Sequence, residues 1–391
     1  MEHSDKHEKQ NLYIILTITL LSVIGVTSIV PVFGDMSNAL NVSLDKIGWL
    51  ITVFTLPSVL LGPAVGMIID RYGRKRILIA ALILFGITGT MCFFTRVFET
   101  ILILRFFQGL GAACLGIINV TLIGDIFTGS KRAKAMGYNS GAISVGSAIF
   151  PAIGGLLAAI NWYYPFLLPA LAIFVAVWVY FGLHNPEPIE KAHLSQYIRS
   201  SLKSIFKREA ITLFLLCFAS FILLFGVIMT YMPILLKDKF SLSSTQIGLM
   251  FFVLALSTAG VASQLDRISR VLPIKHLIVI GFVTYLIGFA LIPFVDNVWM
   301  LLLLMLIIGV GQGINIPAIF NLLTSIAPFS NRGAFMSVNS MAIRAGQTAG
   351  PLLAGILFGL WGMSWVFWSG AILASFFVLL IIVFIPLHTR A

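Results

Sequence analysis

The chain has 391 residues, of which 59% are hydrophobic and only 10% charged, with a mean hydropathy of +1.04. Soluble globular domains carry about 25% charged residues, so this composition excludes a water-soluble fold and implies an integral membrane protein. The formal net charge of +11 fits nucleic acid or acidic lipid equally well until the positions of the bases are considered.

Apolar runs of about 18 residues or more, the length that crosses a bilayer, recur about twelve times. They lie near residues 12–34, 47–69, 77–95, 100–123, 135–160, 164–183, 210–236, 244–265, 276–294, 299–323, 334–359 and 364–387. The charged start before the first run is not followed by a small-residue cleavage site, so residues 12–34 read as the first span rather than a removed leader. With both termini inside, nineteen of the 25 Lys and Arg fall in cytoplasmic segments, and only Lys46, Arg96, Lys237 and Lys239 fall outside. That asymmetry sets the orientation and accounts for the basic balance without nucleic acid.

The first span carries Thr17, Thr19, Ser22, Thr27 and Ser28. These hydroxyls either line a cavity or bond back to their own helix carbonyls. The second span runs into Gly66-Met-Ile-Ile-Asp70-Arg71-Tyr-Gly73-Arg74-Lys75-Arg76. So short a reversal asks for glycine where the backbone bends or helices press together. Four cations in six residues hold the turn on the cytoplasmic side, and one acid kept among them needs a particular partner.

This pattern closely resembles the loop between helices 2 and 3 of the major facilitator superfamily of transporters. The resemblance covers essentially the whole chain and is closest to the bacterial drug:proton antiporter branch. It implies an all-α membrane protein of 12 transmembrane helices in two pseudo-symmetric six-helix bundles. It also implies that Asp125, closing helix 4, meets a base of the charged turn, Arg74 above all. Gly66, Asp70, Arg71, Gly73, Arg74 and Asp125 would then form a latch that holds the cytoplasmic ends together in one state and breaks in the other.

Helix 4 opens with Arg105-Phe-Phe-Gln108-Gly109-Leu-Gly111, similar to a second motif of the superfamily. Arg105 either snorkels outward, toward Glu99, or points into a cavity as a binding or coupling residue. Helix 5 holds Gly146-Ser-Ala-Ile-Phe150-Pro151-Ala-Ile-Gly154-Gly155, which resembles the antiporter motif with phenylalanine in place of its second glycine. Its remaining glycines suit close helix packing and Pro151 bends the helix.

Residues 184–209 are the one long polar stretch. They divide an N-terminal bundle, 1–183, from a C-terminal bundle, 210–391, and their spacing predicts a basic amphipathic helix on the inner leaflet. The second half repeats the first in a constant register: Ile47-Gly48 returns as Ile247-Gly248, Gly109-x-Gly111 as Gly309-x-Gly311, Asn139 as Asn339, Gly146 as Gly346, Pro151 as Pro351 and Gly155 as Gly355. Such a repeat places a substrate site between two halves near the midplane. Gly350 joins the packing glycines of helix 11.

None of the fourteen acids falls at mid-membrane. Arg344 does. It stands ten residues into its span, about 15 Å along a helix rising 1.5 Å per residue, where a charge costs roughly 2.5–3.5 kcal/mol. Gln108, Asn139, Gln312, Asn339 and Gln347 are the polar residues that would accompany Arg105 and Arg344 in substrate binding or coupling. Arg344 either anchors an anionic or strongly polar substrate or ties helices together through amides such as Gln347 and Asn339.

Cys92, Cys114 and Cys217 lie in spans without metal-ligand spacing, so neither metal nor cofactor is expected. No nucleophile and base pair or nucleotide-binding loop argues for an enzyme. The expected function is secondary active transport by alternating access: efflux of small amphiphilic or drug-like molecules, with protons as the coupling ion. Two alternatives stay open: a carrier for organic anions or anionic lipids anchored by Arg344, and a non-transporting sensor in the same fold. The expected partners are a small-molecule substrate, protons and the lipid bilayer, with no nucleic acid. The expected state is a monomer in a bacterial cytoplasmic (inner) membrane.

Overall fold

The computed structural model describes residues 2–184, 207–327 and 332–384, with the side chains of residues 2–6, 62–68, 70 and 332–334 set aside. Every described element is helical. In chain order they are α1 (Glu2–Thr27), α2 (Trp49–Tyr72), α3 (Arg74–Met91), α4 (Phe98–Ile126), α5 (Gly129–Ala158), α6 (Leu171–Gly182), α7 (Arg208–Ile222), α8 (Ser244–Val271), α9 (Ile274–Leu291), α10 (Val298–Ile326), α11 (Arg332–Trp361) and α12 (Met363–Phe384). Among the described residues, ten helical stretches are long and apolar enough to cross a membrane. The other two of the twelve are α3, whose first turn holds three cations, and the 30-residue α11.

The chain divides into two compact units. One comprises residues 1–43, 49–191 and 242–249; the other comprises 44–48, 192–241 and 250–391. The short segments 44–48 and 242–249 therefore belong to the unit that does not hold the rest of their span. Of the polar stretch 184–209, residues 185–206 lie outside the described residues, and with them the expected amphipathic helix.

The internal repeat of the sequence is a repeat of backbone contacts. In the first unit a Cβ on Gly109 of α4 would collide with the Phe54 carbonyl of α2, and one on Gly111 would stand 2.8 Å from the Ala81 carbonyl of α3. In the second, Gly309 meets the Leu254 carbonyl of α8 at 2.8 Å and Gly311 the Gly281 carbonyl of α9 at 2.7 Å. Within lipid no hydrophobic force drives helix against helix, so small residues that let backbones touch carry the packing. The same logic recurs at α5, where Gly155 lies on the Ser244 carbonyl and Gly248 on that of Pro151, and at α11, where a Cβ on Gly355 would stand 2.5 Å from the Asp45 carbonyl and Gly48 packs on Pro351.

The first helix of each unit is interrupted. After α1 come a 3-10 turn at Val30–Val32 and a short helix, Phe33–Leu40. After α7 come a π-helical segment, Leu223–Tyr231, and Met232–Phe240. Both short helices end on a left-handed residue, Asn41 (φ 52°) and Ser241 (φ 53°). The π segment lets Gly226 approach Gly350 of α11, and Thr230 donates its hydroxyl to the Phe225 carbonyl at 2.7 Å, a full π turn back. Such segments often occur at functional sites.

The outer helices expose apolar side chains, Phe174, Val177 and Phe181 on α6 and Ile372, Phe376, Leu379 and Val383 on α12. On a soluble protein such stripes would aggregate; against lipid tails they are the expected surface.

Candidate functional site

Gly73, at φ +88°, separates α2 from α3 and donates its N–H to the Ile69 carbonyl at 3.1 Å. Few residues other than glycine adopt that angle. Arg74 follows, buried, and its guanidinium pairs with the Asp125 carboxylate in the last turn of α4. Each charge sits at the unfavourable end of its own helix dipole, a cation at an N-terminus and an anion at a C-terminus. Neither is favoured alone, so the pair is mutually dependent.

Other bonds gather at the same end of this unit. The Arg132 guanidinium lies against Gly124, beside Asp125. Lys131 pairs with Glu8 at 2.6 Å, and Lys75 donates to the Leu183 carbonyl at the end of α6 at 3.0 Å. Asn11 and His184 exchange two hydrogen bonds, of 2.7 and 3.1 Å. Arg71 is exposed. Gly66 and Asp70 lie in α2 by backbone, but their side chains are outside the described residues. The second unit repeats the lysine cap, Lys275 to the Ile382 carbonyl at 3.1 Å. The positions that match Arg74 and Asp125 in the register of the repeat hold Ile274 and Ser325, so that ion pair has no counterpart there.

Arg105 does not snorkel outward. It turns inward, 1% exposed, donating to the Gly25 carbonyl at 2.6 Å, to Gln108 Oε1 at 2.7 Å and to the Leu50 carbonyl at 3.2 Å, with its guanidinium carbon over the Phe54 ring at 4.2 Å. Gly25 is in the last turn of α1, where carbonyls lack helical partners, so Arg105 caps one helix and ties it to two others. Charge is balanced by carbonyl dipoles and an aromatic face rather than by an acid. Arg105→Ala is expected to lower unfolding stability by more than about 2 kcal/mol, since hydrogen bonds to charged groups are worth about 1.5–3 each. Thermal unfolding in detergent checks this, and an unchanged midpoint would remove the role.

Asn139 also packs inward, bonding with Thr19 of α1 and, at 3.0 Å, with Asn119 of α4. All five hydroxyls of the first span bond back to carbonyls three or four residues earlier, and Thr19 alone among them also reaches a side chain of another helix. In the second unit Asn339 is buried and Gln312 half-buried. Arg344, half-buried, donates Nη1 to Gln347 Oε1 at 3.1 Å. The packing residues of α11 behave like those of α5: a Cβ added at Gly346 or Gly350 would stand 2.5 or 2.8 Å from the Phe218 or Ile222 carbonyl of α7. In α5, Gly154 meets the Ser28 carbonyl, while Gly146 faces Leu20 and the Phe150 ring.

Asp35, in the short helix that follows α1, accepts a hydrogen bond from the Ser244 hydroxyl. It lines an open surface depression of about 540 Å³ with Asn38, Asn161 and Trp162. Its partner could not be read from the chain, because Ser244 lies in the other half of the sequence and opens a different span. Among the described residues no three His, Cys, Asp or Glu cluster as a metal site would require.

Twelve long helices among the described residues, a unit structure repeated in the two halves and a basic turn paired to the end of α4 define a multi-pass membrane transporter fold. The chain belongs to the Major Facilitator Superfamily, whose family pattern matches residues 15–274 and again 225–391. It is a transporter family and not one of enzymes. Multidrug resistance protein 1 of Bacillus subtilis is 28% identical, over 90% of this chain and 91% of its own length. The Bacillibactin exporter of the same organism is 26% identical, over 89% and 90%. Among solved structures, a bacterial homologue of the human lysosomal transporter Spinster superposes with a TM-score of 0.80 at 18% identity, covering 97% of this chain and 98% of that one.

Proposed function

We propose that this chain is a secondary active exporter of small amphiphilic molecules, working by alternating access, with the Arg74–Asp125 pair as its conformational latch. The pair carries the reading: a buried guanidinium and a carboxylate, each misplaced on its own helix dipole, favour staying together and lose that advantage once α3 and α4 part at this end. The names of the relatives, a multidrug resistance protein and an exporter, support efflux. The distribution of Lys and Arg supports both termini on the cytoplasmic side of a bacterial inner membrane. Protons are the coupling ion in this reading, with Asp35 the carboxylate through which they exchange. The latch extends to Gly66, Asp70, Arg71 and Gly73, and the division into bundles at 184–209 and the monomeric state belong to the same proposal.

Expression in bacteria stripped of their own multidrug pumps tests it. Accumulation of at least one dye in a panel of cationic, anionic and neutral amphiphiles, ethidium among them, should fall several-fold and recover when a protonophore collapses the gradient. Accumulation unchanged across the whole panel would leave a non-transporting sensor in its place.

A further inference from the structure

Two arginines stand within membrane spans, and the structure separates them. Arg105 is sealed, 1% exposed, with Nε and Nη1 donating to two backbone carbonyls and Gln108 and Nη2 enclosed without a partner among the described residues. Arg344 is not. It lies twelve residues after the start of α11 and seventeen before its end, about 18 and 26 Å at 1.5 Å per residue, and is only half-buried within its unit. A guanidinium offers five N–H donors; among the described residues its one hydrogen bond is to Gln347. Two ion pairs of this unit, Lys239–Asp296 and Arg270–Asp266, lie at helix ends and do not reach it.

The α11 backbone around Arg344 is held firmly. Gly346 and Gly350 press on the α7 carbonyls of Phe218 and Ile222, and the Thr348 hydroxyl bonds to the Arg344 carbonyl at 2.9 Å. Gln347, one turn on and 9% exposed, orients the guanidinium from one side and supplies amide N–H donors of its own. A permanently charged fork, fixed in position and without a counter-charge among the described residues, faces a water-filled path or a ligand by default. Its planar donors match the paired oxygens of a carboxylate, sulfonate or phosphate.

Resting on the transporter reading above, we propose that Arg344 and Gln347 form an anion-recognising subsite. The preferred molecules then carry an acidic group on an apolar body, and cations are the less favoured class.

The test uses the full chain in lipid nanodiscs and two probes with the same ring system and opposite charge, naphthalene-2-sulfonate and 2-naphthylmethylammonium, with binding followed by calorimetry. Wild type should bind the sulfonate about tenfold or more tightly than the ammonium, and Arg344→Ala should remove that margin, a change of about 1.4 kcal/mol. Arg344→Lys should restore part of it, because a point charge lacks the fork. Unchanged sulfonate binding in Arg344→Ala overturns the proposal. Should that variant fail to fold, the wild-type preference decides, and a preference for the ammonium or for neither probe overturns it. Sulfonate binding without transport in vesicles would defeat the exporter reading and keep the subsite; transport of a cation independent of Arg344 would do the reverse.

Discussion

Asp125→Asn is expected to abolish most transport and to destabilise the protein, while the exchange Arg74→Asp with Asp125→Arg recovers the stability but only part of the transport. Removing one partner of a buried ion pair costs about 3–5 kcal/mol, because the other charge stays behind without compensation. Here the stranded group is Arg74, with 7% of its side chain exposed, whereas Asp125 is 26% exposed. Partial solvation of the carboxylate places the expected loss toward the low end of that range. The exchange should do better than restore Coulomb attraction, since it also sets an anion at the α3 N-terminus and a cation at the α4 C-terminus, the arrangement that helix dipoles favour. A latch improved in this way should be overly stable and slow turnover even as the melting temperature recovers. Melting temperature and initial transport rate measured on the same preparations separate the two effects. Equal rates in all three proteins would remove the latch.

Gly154→Leu is expected to prevent folding, while Gly137→Ala in the same helix is expected to be harmless. A Cβ at Gly154 would already overlap the Ser28 carbonyl of the interrupted first helix, and a backbone atom cannot rotate aside as a side chain can. Overpacking of this kind costs about 1–3 kcal/mol for added methylenes and more where backbone must move. At Gly137 and Gly141 nothing stands within 4 Å of the Cβ position, so alanine gains roughly 0.5–1 kcal/mol of helix propensity there. Gly154→Ala should fall between the two. Expression as a monodisperse species, followed by thermal unfolding, ranks the variants; equal midpoints for Gly154→Ala and Gly137→Ala would contradict the close approach.

Much of this organisation was legible in the sequence because its causes are local or repeated. Gly109, Gly111 and Gly155 read in register with Gly309, Gly311 and Gly355, and the structure shows that register as matching backbone contacts. The composition showed a membrane protein, and the charged turn supplied the resemblance from which Arg74 and Asp125 were singled out together.

The rotation of residues about their helices was harder to read. α4 is apolar nearly all round, so no polar stripe told whether Arg105 faced inward or outward, and only the freed carbonyls at the end of α1 reveal why it turned in. Asn139 and Arg344 both belong to polar local runs, yet one is absorbed by Thr19 and Asn119 while the other keeps open donors. The π segment in the seventh span has no residue signature, since its shift from four- to five-residue bonding follows from how Gly226 meets Gly350. Residues 44–48 and 242–249 read simply as the approaches to spans and their first turns, and their assignment to the other unit depends on contacts far along the chain.

The central claim is that the chain moves small molecules across a bilayer under the control of the Arg74–Asp125 pair. Purified protein in liposomes with an imposed pH gradient tests it most directly, following a fluorescent amphiphile from one side to the other in wild type and Asp125→Asn. Gradient-driven movement in wild type, falling by about tenfold in the variant, an added barrier of roughly 1.4 kcal/mol, with binding retained, is the result expected. Movement at the same rate in both proteins, or in neither, would contradict it.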